Sequence, residues 1–190
     1  MGNGESDIIR RARDGEAAAF DWLVEVHTPR LYRLVRRTAP DHSEAEALVQ
    51  EAWLRAWKNR GRCLPGRPFF PWLAAIAVNL ARDSWRKRRP LDFADVEDSI
   101  EYLATDETLI EVQIEARQAR GRLSRYVEQL RPEWRIAISL RYDGGLEYAE
   151  IASVLGIPLN TVRTHLRRAH QALRRRLEAE DDGTAGRPAA

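Results

Sequence analysis

YAEIASVLGIPLNTVRTHLRRAH, residues Tyr148–His170, is the stretch whose reading decides the fold. Ala152 is small where two helices would cross closely. Gly156 follows four residues later, where a turn needs a positive φ. Val162 comes six after that, and Ile151, Leu155 and Ile157 supply a local core. Pro158 suits the entry to the next helix. In that helix Val162, Leu166, Ala169, Leu173 and Leu177 keep one apolar face, while Asn160, Arg163, Thr164, Arg167, His170 and Arg174 fall on the other. The spacing predicts a helix-turn-helix, whose recognition helix places its N-terminal residues in a major groove. Arg163 suits guanine edges, Asn160 and Thr164 suit bases or phosphates, and the later arginines suit phosphates. The bland reading of the same residues is a helical hairpin with a solvated basic face.

Outward from this motif almost everything reads as helix. Gly and Pro gather at few points: Pro40, the run from Gly61 to Pro71, Pro90, Pro132, Gly144-Gly145 and the tail. No run of alternating β-branched residues occurs, so the expected class is all-α without a sheet. Phe20, Leu23, Val24, His27, Leu31, Leu34 and Val35 follow helical spacing, with Pro29 expected to kink or interrupt the segment. Ser43 is expected to cap a second helix, with Glu46 completing a capping box and Leu48, Val49, Ala52, Trp53 and Ala56 facing inward. A third helix turns Phe69, Trp72, Leu73, Ile76, Ala77 and Leu80 inward. The expected layout is two small helical domains, an N-terminal bundle over 1–90 and a C-terminal helix-turn-helix unit over 117–178. An acidic linker over 91–116 joins them, and a disordered tail covers 179–190.

The formal net charge of +2 hides a strong pattern. The linker holds nine acidic residues and no Lys or Arg. Before it stand Arg82, Arg86, Lys87, Arg88 and Arg89; after it, Asn160 to Leu177 carries six arginines and no acid. Two basic blocks, each ending a helix, favour a polyanion partner at two places over merely solvated faces. One cysteine, Cys63, excludes a disulfide framework and a cysteine-based zinc site. No apolar run approaches a membrane span and the N-terminus lacks a signal-peptide core, so a cytoplasmic protein without membrane insertion is expected.

Two further surfaces stand out. Gln50, Leu54 and Trp57 form a second stripe on the 44–59 helix, flanked by Glu51, Arg55 and Lys58, as a protein partner would require. Alternatively Trp57 packs inside the bundle. On the third helix Asn79, Arg82, Trp85, Arg86 and Arg89 put an aromatic among cations and an amide. That combination suits unpaired bases, unless Trp85 simply closes the bundle.

The chain resembles a bacterial RNA polymerase sigma factor of the extracytoplasmic-function (ECF) group of the sigma-70 family. Asp41 to Trp57 looks like the family's polymerase-binding helix. Phe70 to Asp83 with Trp85 to Arg89 looks like its −10 recognition and melting helix. Leu130 to Ala169 looks like its fourth region, which reads the −35 element. The resemblance implies docking on the clamp helices of the polymerase largest subunit through Asp41, Glu44, Gln50, Glu51, Leu54 and Trp57. It implies −10 binding and melting through Asn79, Arg82, Trp85, Arg86, Lys87 and Arg88, with the loop Gly61–Pro68 matching a base pocket. It implies −35 binding through Asn160, Thr161, Arg163, Thr164, His165, Arg167 and Arg168. The implied partners are core RNA polymerase, including its flap, promoter DNA and an anti-sigma factor acting in response to stress or envelope signals. No cofactor, metal or catalytic residue is implied. The chain departs from the family's usual residues at Asn160, His165 and His170, and in the Cys63-containing loop.

Two other functions compete. A conventional DNA-binding regulator would explain residues 121–178 but leave the Trp57 stripe and the Asn79/Trp85 face idle. An enzyme would have to use Cys63 with His27 or His42, and no orienting third group or oxyanion site accompanies them.

Overall fold

The computed structural model describes residues 2–88 and 123–185, with side chains over 4–87 and 123–178. The expected linker 91–116 and residues 186–190 lie outside the described residues, as do Arg89 and the side chain of Arg88. Among the described residues there is helix and no strand. The elements are α1 (Gly2–Arg13), α2 (Ala17–Arg36), α3 (His42–Lys58), a 3-10 turn (Arg60–Arg62) and α4 (Phe69–Arg88). The second unit holds a helical segment over 123–128 (α5), α6 (Pro132–Ile138), a π-helical turn (Ser139–Asp143), α7 (Tyr148–Leu155) and α8 (Leu159–Ala185). No described helix is long and apolar enough to cross a membrane.

In the first unit α1, α2, α3 and α4 pack in succession around an aromatic centre. Phe20 meets Trp53 and Trp57 edge-on, at centroid distances of 5.7 and 4.9 Å. Trp53 stacks on Phe69 at 6.0 Å, and His27 stacks on Phe69 at 5.2 Å. Burying each such ring contributes about 2–3 kcal/mol, with roughly 0.5–1.5 kcal/mol more per well-oriented pair. The Trp53 indole N–H stays satisfied by donating to Thr28 Oγ1 at 3.0 Å.

Three local expectations are corrected, and one helix is added. Of the two outcomes expected at Pro29, interruption does not occur: the proline lies inside α2, which runs on to Arg36. Buried side chains on both sides, Leu23 and His27 before and Leu31 and Leu34 after, outweigh the roughly 3 kcal/mol that an interior proline costs. The cap of α3 is Asp41, whose carboxylate accepts from the Glu44 N–H at 2.8 Å; Ser43 is already helical. An ionised oxygen at the positive end of the helix is a stronger acceptor than a hydroxyl. Residues 2–13 add a helix, α1, with Ile9 and Ala12 buried against α2. Finally, α8 continues through Ala185, so residues 179–185 of the expected disordered tail are helical.

The helix-turn-helix forms as its spacing demands. Gly156 ends α7 in the left-handed conformation at φ +68°. Its N–H and that of Ile157 both bond back to the Ala152 carbonyl, at 2.9 and 3.2 Å, satisfying the helix end. Val162, Leu166, Ala169 and Leu173 are buried.

Candidate nucleic-acid interface

The exposed face of α8 carries the expected reading residues. Asn160 and Arg163 are exposed, and Arg167 is half-buried. The Arg163 guanidinium lies 3.4 Å from Asn160 Oδ1, so the amide orients the arginine over the first turn. Thr164, half-buried, donates its Oγ1 hydroxyl to the Asn160 carbonyl at 2.9 Å. Thr161, His165 and Arg168 are half-buried on the flank. Burial lowers the His165 pKa below its ordinary 6.5, with Glu133 opposing and Arg168 and Arg82 adding to the shift. His165 Nδ1 has no hydrogen-bond partner among the described residues. Farther along, Arg174 pairs with Glu178 at 2.7 Å, and His170 bonds the Tyr142 hydroxyl at 2.9 Å.

On α4, Asn79, Arg86 and Lys87 are exposed, while Arg82 and Trp85 are half-buried. The Trp85 indole N–H donates to the Thr38 carbonyl at 2.9 Å, just beyond the end of α2. Its ring packs against the core, and the Arg135 guanidinium lies 4.9 Å from the ring centroid. Trp85 therefore closes the bundle and stays half-buried at its edge. Arg82 donates to the Leu155 carbonyl at 3.5 Å.

The third surface is an apolar groove of about 560 Å³ between α2 and α3. Gln50, Trp53, Leu54 and Trp57 line it from α3, and Phe20 and Val24 from α2. Leu54 is 55% exposed. Trp57 is half-buried, sharing Phe20 with the core and carrying Arg60 over its ring at 4.2 Å. Val24 follows the helical spacing of the inward residues, and its place one turn after Phe20, on the flank of the buried stripe, is the signal the sequence carries for the groove. Asp41 and Glu44 serve the bundle itself: Asp41 caps α3, and Glu44 accepts from the Ser84 hydroxyl. Glu51 pairs with Arg55 at 2.7 Å along the same helix.

Cys63 is buried, and burial pushes its thiol up to about 11. A protonated thiol is a poor nucleophile at neutral pH. His27 faces Glu5 at 3.2 Å, and His42 contacts Tyr32 and Glu46.

A helical bundle with a basic, aromatic-bearing end, followed by a helix-turn-helix, defines a two-unit helical protein equipped to bind nucleic acid. The sigma-70 region 2 profile matches residues 23–90 and the sigma-70 region 4 profile residues 120–173. The ECF RNA polymerase sigma factor SigW of Bacillus subtilis is 30% identical over 176 residues, covering 89% of this chain and 94% of that protein. The RNA polymerase sigma-H factor of Pseudomonas aeruginosa is 29% identical over 181 residues, covering 92% and 94%. Among solved structures, CnrH in complex with the cytosolic domain of CnrY superposes with a TM-score of 0.70 at 26% identity, covering 92% of this chain and 97% of that one. RpoE of Bartonella quintana, in complex with the anti-sigma factor NepR, has the same fold, with a TM-score of 0.64 at 23% identity over 84% of this chain and 96% of that one. The chain belongs to the ECF group of sigma-70 family RNA polymerase sigma factors.

Proposed function

We infer that this chain selects promoters for a bacterial core RNA polymerase, reading the −35 element as duplex and opening the −10 element as single strand. The observation that carries the reading is the presence, in one chain, of three differently built surfaces. α8 offers an exposed arginine and amide on a helix that fits a major groove. The end of α4 offers an amide, cations and a ring, the equipment for unpaired bases. The α2–α3 groove offers an exposed leucine beside half-buried tryptophan, the kind of anchor a protein partner covers. That partner is the clamp-helix region of the polymerase. A conventional DNA-binding regulator has no use for the second and third surfaces. CnrH is captured with the cytosolic domain of CnrY and RpoE with the anti-sigma factor NepR, and by that likeness an anti-sigma protein, released in response to stress or envelope signals, is the regulator proposed for this chain.

Run-off transcription with purified core polymerase tests the function: initiation confined to promoters carrying matched −35 and −10 elements is expected, and no promoter-selective product would defeat the reading. Leu54→Ala tests the groove. It removes an exposed side chain that the fold does not need, so thermal stability should stay near wild type. Polymerase binding should weaken by about 2 kcal/mol, as at hot-spot positions, measured by competition for core enzyme.

A further inference from the structure

The charge on α2 is split along its length. Residues 17–29 carry Asp21 and Glu25 and no Lys or Arg. Residues 30–37 carry Arg30, Arg33, Arg36 and Arg37 and no acid. Arg30 and Arg37 are used within the molecule: Arg30 donates to the Gly144 carbonyl, and Arg37 pairs with Asp143. Among the described residues Asp21, Glu25, Arg33 and Arg36 make no salt bridge.

Between the two charged ends lies an apolar surface open to solvent. Trp22 is 41% exposed and Val26 47%. Pro29 and Arg33 are exposed as well. Trp22, Val26, Pro29, Arg33 and Arg36 follow one another at intervals of four, three, four and three residues. That spacing lines one face of a helix and is the seam along which two helices pair. At about 100° per residue the seam lies on the side of α2 away from Phe20 and Val24, which line the groove. An acidic start and a basic end also suit the helix dipole, but the dipole acts on charge alone. It calls for no tryptophan and valine in water beside those charges.

We propose that this face is a self-association surface: α2 of one copy packs antiparallel on α2 of a second copy about a two-fold axis. Antiparallel pairing sets the acidic half of each helix against the basic half of the other, whereas parallel pairing would face arginine with arginine. A register centred between His27 and Thr28 brings Val26 level with Pro29 of the second copy and Trp22 level with its Arg33. A guanidinium is attracted to an indole face, and Asp21 and Glu25 beside Trp22 add opposite charge. The two-fold axis makes every such contact twice. The apolar centre is short, so the interface falls below about 1,200 Å² and the dimer is weak and reversible.

Sedimentation equilibrium of the full-length chain over a range of concentrations tests the proposal, beside Trp22→Arg and the exchanged pair Trp22→Arg/Arg33→Trp. Wild type should rise from the mass of one chain toward that of two. Trp22→Arg sets arginine against arginine and should raise the dissociation constant about tenfold or more, as loss of a central aromatic does. Its helix content by circular dichroism should stay at wild type, and so should promoter-selective run-off transcription, since the seam shares no residue with the groove or either DNA surface. The exchanged pair restores one cation and one ring at each level and should dimerise again. If Trp22→Arg loses helix, Val26→Lys replaces it with the same expected direction. A wild type that keeps the mass of one chain throughout overturns the proposal, and so does a Trp22→Arg chain that associates as wild type does. A folded exchanged pair that stays monomeric overturns the antiparallel register. A monomeric wild type whose Trp22→Arg variant loses transcription assigns the face to the polymerase instead.

Discussion

Arg163 and Arg167 stand one helical turn apart, yet their surroundings assign them different work. Arg163 is exposed in the first turn with Asn160 beside it; Arg167 is half-buried farther along. Arg163→Ala should cost about 1–3 kcal/mol and relax preference at one −35 position, whereas Arg167→Ala should weaken all sequences alike and lower the salt slope by about 1. Binding-site selection and salt titration of the holoenzyme distinguish the two, and an unchanged −35 preference in Arg163→Ala would refute the assignment. Arg163 was legible in the sequence because on a helical projection it falls outside the apolar stripe of Val162, Leu166, Ala169 and Leu173. The setting of His165 was not legible. It sits on the flank of the same helix, and the charges that act on it include Arg82, a residue of the other unit.

At the level of elements, one backbone angle holds the helix-turn-helix. Gly156 has φ +68°, and an added Cβ would meet nothing within 4 Å. The cost of Gly156→Ala is therefore left-handed backbone strain alone, about 1–2 kcal/mol. Urea unfolding should show that loss, with Gly156→Asn milder because asparagine tolerates this region; equal stability of Gly156→Ala and wild type would contradict the geometry. The main helices were readable because their apolar residues repeat at three and four positions. α1 escaped because its glycine-bearing start is a weak helix former, and its buried Ile9 and Ala12 acquire meaning only against α2. The Asp41 cap escaped for another reason: the Ser43/Glu46 spacing imitates a capping box, and only the chain's approach to α3 places the cap at Asp41, two residues earlier.

Across the whole molecule, burial of titratable groups makes stability depend on pH. His27 lies under Phe69 and Phe70, and burial lowers its pKa below the ordinary 6.5, with Glu5 opposing and Arg30 adding. His165 is lowered in the same sense. A histidine depressed in the folded state binds fewer protons there than in the unfolded chain. Its contribution is whole above pH 6.5 and falls away as pH drops below that value toward the depressed pKa. Unfolding followed from pH 7.5 down to about 5 should show stability falling, and His27→Gln should flatten the slope; an equal slope in the variant would exonerate His27. Helix positions, the turn glycine, the apolar stripes and the order of the three motifs were determined by the sequence itself. Each of these depends on spacings of a few residues, which helical geometry alone converts into faces. Which flank of a face is free and which is covered was decided only by tertiary structure. Those contacts join residues 73 positions apart at Arg82 and Leu155, and 114 apart at Arg30 and Gly144. No local periodicity encodes such pairs, because they arise from how two independently patterned units pack.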